Sequence, residues 1–259
     1  MHLKRLLVAG ILIPLIYFYI TSLPEIYFLF LLIIVSLVAT NEFYSMYKVY
    51  GLLRLFGLLG GIAFLFTAYY YEYLLPDVFL SFIVIILCLR LLTKKTPISA
   101  LSEVSPTIIG LYYISGLLTF HIFIRRIGVE WIILLYASVW IADSFAYYIG
   151  KGFGKRKLYL EISPNKTIAG AVGSFIGSII SVLLIKSLLI STLSIKTCLI
   201  IGIVIGLTSI IGDLIESMFK RDAGVKDSGF IIPGHGGILD KIDGILTSAP
   251  VLYWTIKLI

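Results

Sequence analysis

Asp213, Glu216, Ser217 and Lys220 follow one another at steps of three, one and three residues. On a helix that spacing puts all four on one face, where two carboxylates, a hydroxyl and an ammonium would converge on a polar site. Arg221, Lys226 and Asp227 follow, then a glycine-rich stretch, Pro233-Gly234-His235-Gly236-Gly237, and then Asp240, Lys241 and Asp243 at the expected start of the next helix. Asp213, Asp240 and Asp243 are hard oxygen donors of the kind Mg²⁺ takes one or two at a time, with substrate phosphates completing its shell. Asp240 and Asp243 would also serve as caps of that helix, and capping and ligation are compatible. His235, between glycines, could act as a base, donate to a phosphate or turn the chain.

A second cluster lies upstream. Asp143-Ser144-Phe145-Ala146-Tyr147-Tyr148 is followed by Gly150-Lys151-Gly152-Phe153-Gly154-Lys155-Arg156-Lys157 and by Ile162-Ser163-Pro164-Asn165-Lys166-Thr167. Glycines let a backbone approach a phosphate, Lys151 and Lys166 would neutralise it, and Ser163 and Thr167 stand just before a helix whose N-terminus favours anions. P-loop spacing is absent. The basic run 151–157 would equally orient the chain in a membrane and hold anionic lipid heads. Asp143 sits about two turns before the end of an apolar run, where an ionisable side chain is costly and marks function or pairs with a lysine.

The elements that must carry these residues are membrane helices. Hydrophobic residues make up 59% of the 259 positions and charged residues 14%, with a mean hydropathy of +1.05, which excludes water as the solvent for most of the chain. Apolar runs recur at 6–23, 26–40, 52–70, 78–92, 107–124, 131–148, 168–184, 197–218 and 242–258. We therefore expect an all-α polytopic protein of about nine transmembrane helices. It reads as a single membrane domain, with 1–130 as N-terminal helices and 131–259 as C-terminal helices bearing the active-site loops. Residues 1–23 imitate a signal peptide, but no small-residue cleavage site follows, so a retained first helix is expected.

The net charge of +7 is not a nucleic-acid footprint, because the basic residues cluster between apolar runs. With a cytoplasmic N-terminus, nine spans put 16 of the 21 Lys and Arg on the cytoplasmic side, leaving Arg125, Arg126, Lys186, Lys196 and Lys257 outside. Cys88 and Cys198 each lie in an apolar run and read as packing residues. Gly57 and Gly61, Gly173 and Gly177, and Gly202 and Gly206 form small-xxx-small pairs suited to close helix approach. The carboxylates of the first half, Glu25, Glu42, Glu72, Asp77 and Glu103, fall at or between span ends and read as solvated boundary residues.

The stretch from Ser217 to Arg221, with Lys226-Asp227 and Pro233-Gly234-His235-Gly236-Gly237-Ile238-Leu239-Asp240-Lys241-Ile242-Asp243, resembles the signature of the phosphatidate cytidylyltransferases, or CDP-diacylglycerol synthases. The blocks around Asp143 and Lys166 resemble a second block of that family, in the expected order, so the motif-bearing resemblance covers about residues 140–245. Lys241 stands where the family usually has arginine, keeping the charge but losing the planar fork. Ala169 stands where it usually has glutamate, so no carboxylate role passes to that position.

The resemblance implies transfer of CMP from CTP to phosphatidic acid, with Asp213, Asp240 and Asp243 holding Mg²⁺, alone or beside a second mono- or divalent cation. Lys220, Arg221, Lys226, Asp227 and His235 would belong to the catalytic set. Asp143, Lys151, Ser163, Lys166, Thr167, Ser217 and Lys241 would belong to the substrate and phosphate contacts. It also implies a homodimer whose site opens sideways to phosphatidic acid in the cytoplasmic leaflet, while the charge bias leads us to expect a bacterial cell's cytoplasmic membrane, or an equivalent one, with the active face toward the cytosol. Two rivals share parts of the pattern. A CTP-dependent lipid-alcohol kinase would need a base for its neutral nucleophile. A transporter would use Asp143 and Asp213 along an ion path, but both motif blocks falling on one side of the membrane argue against alternating access.

Overall fold

The computed structural model describes residues 14–231 and 236–258. Pro233, Gly234, His235 and the start of the first expected span lie outside them. The described order is α1 (residues 14–22), α2 (Glu25–Met46), α3 (Gly51–Tyr70), a 3₁₀ turn and α4 (Leu75–Lys94). Then α5 (Ala100–Gly110) continues through a π-helical stretch (Leu111–Gly116) into α6 (Leu117–Ile127). After them come α7 (Val129–Phe153), a hairpin of β1 (Lys157–Tyr159) and β2 (Ser163–Thr167), α8 (Ile168–Leu188), α9 (Ile195–Asp222) and α10 (Leu239–Leu258).

Among the described residues, seven helical segments are long and apolar enough to cross a membrane: α2, α3, α4 with its 3₁₀ turn, α5 through α6, α7, α8 and α9. The chain is thus a polytopic all-α membrane protein. α10 has comparable length, 20 residues, but Asp240, Lys241, Asp243 and Lys257 interrupt its apolar character. Most helices outrun their apolar segments, α2 to Met46 and α9 to Asp222. A backbone leaving lipid keeps its hydrogen bonds satisfied by continuing the helix.

The chain divides into two compact units, one running to Ile122 and including Val225–Asp240, the other comprising Phe123–Gly224 and Lys241–Ile259. In the first, Phe64, Ile86, Val104 and Leu111 form a buried core. The Phe64 ring lies 4.1 Å, centroid to centroid, from that of Phe79 and 5.2 Å from that of Tyr112. Gly60 makes room, since a Cβ there would stand 2.9 Å from Leu111 and Phe82. Polar bonds fix α2 within this unit: Ser36 Oγ meets Ser115 Oγ at 2.7 Å, Tyr44 donates to the Thr107 carbonyl at 2.8 Å, and Arg54 donates twice to Asn41 Oδ1, at 2.6 and 3.1 Å.

Two carboxylates read from sequence as solvated boundary residues are bound by protein groups, Glu103 while still partly exposed and Glu42 in a buried position. Glu103 pairs with the buried Arg90 at 2.6 Å and with Lys94 at 2.8 Å, while Arg90 also donates to the carbonyls of Thr96 and Ile98 and so closes the α4–α5 turn. Glu42 is buried, and its carboxylate accepts from the backbone amides of Ile238 and Leu239, where α10 begins. A glutamate at the end of an apolar run turns inward where backbone donors need an acceptor.

In the second unit, the two glycine pairs do what their spacing suggests. A Cβ on Gly173 or Gly177 would lie 2.8 Å from Phe145 of α7, and one on Gly202 would lie 2.7 Å from the Ile179 backbone of α8. Serines bond across these close approaches: Ser178 donates to the Gly202 carbonyl at 2.6 Å and Ser138 to Ser181 at 3.2 Å. In an apolar bundle such contacts replace the hydrophobic drive that lipid cannot supply.

Candidate active site

Two of the carboxylates at the centre of the site have a glycine beside them in sequence: Gly212 before Asp213 on α9, and Gly244 after Asp243 on α10. A Cβ at Gly212 would collide with Thr247 Oγ1 and the Asp243 carbonyl oxygen, and one at Gly244 would lie 2.8 Å from Ser209 Oγ. The two helices therefore cross almost backbone to backbone. Thr247 donates to the Thr208 carbonyl at 2.9 Å, and the hydroxyls of Thr208 and Ser248 meet at 2.8 Å. This crossing brings carboxylate oxygens of Asp213, Glu216 and Asp243 within 4.8 Å of one another.

Cations and hydroxyls surround the three. Lys166, delivered by β2, lies 2.6 Å from Asp213 Oδ2. Lys220 pairs with Glu216 one turn along α9, at a side chain only 1% exposed. Ser217 donates to Asp213 Oδ1 at 3.3 Å, and Ser209 donates to Asp143 Oδ1 at 3.1 Å. The Asp213, Glu216, Ser217 and Lys220 face expected from spacing thus exists on α9. Glu216 was visible on that face, but sequence reasoning gave it no ligand role.

The basic loop before α8 is built differently from the irregular phosphate loop its glycines suggest. It forms an antiparallel hairpin pairing Lys157 with Thr167 and Tyr159 with Ser163. Thr167 caps α8 by accepting from the Gly170 amide at 3.0 Å. Gly150 and Gly154 pack against Thr167, whereas a Cβ at Gly152 would meet nothing within 4 Å. Arg221 donates from Nε to the Ile162 carbonyl at 3.3 Å, tying the end of α9 to the hairpin. Lys151 is exposed, its Nζ 5.9 Å from the Tyr147 ring centroid.

The glycine-rich segment belongs to the other unit. Asp240 Oδ2 accepts from the amides of Gly237 at 2.7 Å and Ser228 at 3.1 Å, and from the Ser228 hydroxyl at 2.9 Å. The cap expected of Asp240 is thus made toward its own loop, while among the described residues the carboxylates gathered with Asp213 are Glu216 and Asp243. Lys226, Asp227 and Lys241 are exposed, and His235 lies outside the described residues.

Three carboxylates crowded together repel unless positive charge balances them, and every donor in the set is a hard oxygen. The residues therefore suit a divalent cation of the Mg²⁺ type, and flanking ammonium groups suit a polyphosphate. Comparisons with known proteins identify the family. A 38% identity over 175 residues links the chain to the phosphatidate cytidylyltransferase of Thermotoga maritima, spanning 65% of each. The enzyme of that name from Bacillus subtilis is 31% identical over 275 aligned positions, covering 99% of this chain and 98% of its own. That from a Synechocystis species is 45% identical over 127 residues, 49% of this chain and 43% of its own. With the cytidylyltransferase profile matching residues 3–259 as well, the chain belongs to the cytidylyltransferase family.

Proposed function

We propose that the protein is a phosphatidate cytidylyltransferase that converts CTP and phosphatidic acid into CDP-diacylglycerol and pyrophosphate. The observation that carries this reading is the convergence of Asp213, Glu216 and Asp243 with Lys166 and Lys220 beside them, in a chain alike over its whole length to the Bacillus subtilis enzyme. Phosphatidic acid presents an anionic phosphate oxygen that needs no general base. That oxygen bonds to the α-phosphorus of CTP as the bond from that phosphorus to the β-phosphate bridge breaks, and pyrophosphate leaves with the electron pair. Such a displacement requires alignment and charge neutralisation more than proton transfer.

Mg²⁺ held by Asp213 and Asp243, with Glu216 alongside, would neutralise triphosphate charge there. Lys166 and Lys220 would steady phosphate oxygens at the rim, and Arg221 the leaving pyrophosphate. We further propose nine spans with the N-terminus and the site facing the cytoplasm, and a homodimer in the cytoplasmic membrane.

The test uses purified protein in detergent with phosphatidic acid, Mg²⁺ and CTP labelled at the α-phosphate, beside Asp213→Asn. Label is expected in lipid, lost with chelator and lowered at least about a hundredfold in the variant. Lipid labelled only from γ-labelled CTP would identify a kinase instead, and no lipid label from either nucleotide would remove the enzymatic reading.

A further inference from the structure

Glu42 lies 5% exposed on α2, remote in sequence from everything it binds. Its Oε1 accepts from the Ile238 amide at 3.0 Å, and its Oε2 from the Leu239 amide at 2.9 Å and the Ser228 hydroxyl at 3.3 Å. α10 begins at Leu239, so amides at its start, which no turn of that helix can satisfy, are taken by a side chain from another helix. The Ser228 hydroxyl has one hydrogen and faces both Glu42 Oε2 and Asp240 Oδ2, at 3.3 and 2.9 Å. Asp240 in turn holds the amides of Ser228 and Gly237. Two carboxylates therefore grip both ends of the segment that carries the glycine-rich motif.

The surroundings fit a dedicated clamp. A Cβ on Gly229 would lie 2.5 Å from Glu42 Oε1, and one on Gly237 would collide with Glu42 Oε2 and Ser228 Oγ. Asn41, the residue before Glu42, is held by Arg54, and Tyr44 by the Thr107 carbonyl, so the clamp is mounted on a fixed stretch of helix. We infer that Glu42 is a positioning residue: from α2 it sets where α10 begins and holds Ser228 against that start, and thereby fixes Gly237 and Asp240. The identity of the reaction it serves rests on the cytidylyltransferase reading, while the contact itself does not.

The experiment compares the full chain in detergent micelles with Glu42→Gln, Glu42→Asp and Ser228→Ala. Glutamine keeps the size but turns an NH₂ toward an amide that also donates; aspartate keeps both acceptors on a shorter stem. Without substrates, hydrogen exchange in peptides covering 236–240 should accelerate about tenfold or more in Glu42→Gln, with exchange elsewhere unchanged. With substrates, kcat should fall about ten- to a hundredfold while KM for CTP and phosphatidic acid moves less than about threefold, and Glu42→Asp should recover part of the loss. Ser228→Ala should move both readouts the same way by less, and it carries the test if Glu42→Gln does not accumulate as folded protein. Unchanged exchange at 236–240, or wild-type kcat per folded molecule, would overturn the inference. If the wild type itself transfers no cytidylyl group, the functional reading fails and the exchange comparison still decides the role of Glu42.

Discussion

Glu216 is the residue whose role differs most between its two neighbours: it pairs with Lys220 and also stands within 4.8 Å of Asp213 and Asp243. If it serves the cation as well as the lysine, Glu216→Gln removes a third of the site's negative charge while leaving Asp213 and Asp243 in place. The Mg²⁺ concentration for half-maximal activity should then rise about tenfold, measured by titrating Mg²⁺ at saturating CTP; an unchanged titration would confine Glu216 to its ion pair. Much of this site was legible beforehand, because the spacing of Asp213, Glu216, Ser217 and Lys220 fixes their common face by helix geometry alone. Glu42 was not legible. Only the folded chain brings amides 196 and 197 residues away against it, and no local pattern separates a glutamate capping a distant helix from one facing water.

At the scale of elements, hydropathy located every described spanning helix but not its ends, since α7 and α9 carry their helical turns into the polar flanks where the site residues stand. The hairpin was missed for a related reason: residues 157–163 alternate polar with apolar side chains, but the strand they pair with, Ser163–Thr167, is polar throughout and contains Pro164, so no second strand signal stands beside the first. Its pairing places Lys166 beside Asp213. The α9–α10 crossing makes a sharper prediction. At Gly212 an added methyl meets the Asp243 carbonyl and Thr247, and a helix backbone has little room to yield. Gly212→Ala should destabilise the folded protein by about 1–3 kcal/mol and lower kcat further by moving Asp213 away from Asp243. Gly152→Ala, in open space, should leave the thermal midpoint where it is. Equal midpoints for the two variants would mean that the crossing is looser than this packing.

For the whole molecule, orientation follows from how charge is distributed about its helices. α8 has 21 residues, about 31 Å at the helical rise, which matches a hydrocarbon core of about 30 Å. The basic stretch that includes Lys155, Arg156 and Lys157 precedes α8, whereas Lys186 and Lys196 lie at or beyond its far end. If α8 crosses once, its two sides face opposite compartments, and from the excess of basic residues we predict that the hairpin side is cytoplasmic. The prediction can be read with single cysteines at Lys155 and Lys196, both exposed, in a chain whose Cys88 and Cys198 are replaced by serine. A membrane-impermeant maleimide should label the Lys196 position in intact cells and the Lys155 position only in inverted vesicles. Labelling of both from one side would mean that α8 does not span. Opposite but reversed labelling would put the hairpin that delivers Lys166 on the face away from cytoplasmic CTP, and the proposed reaction could not then draw on that pool.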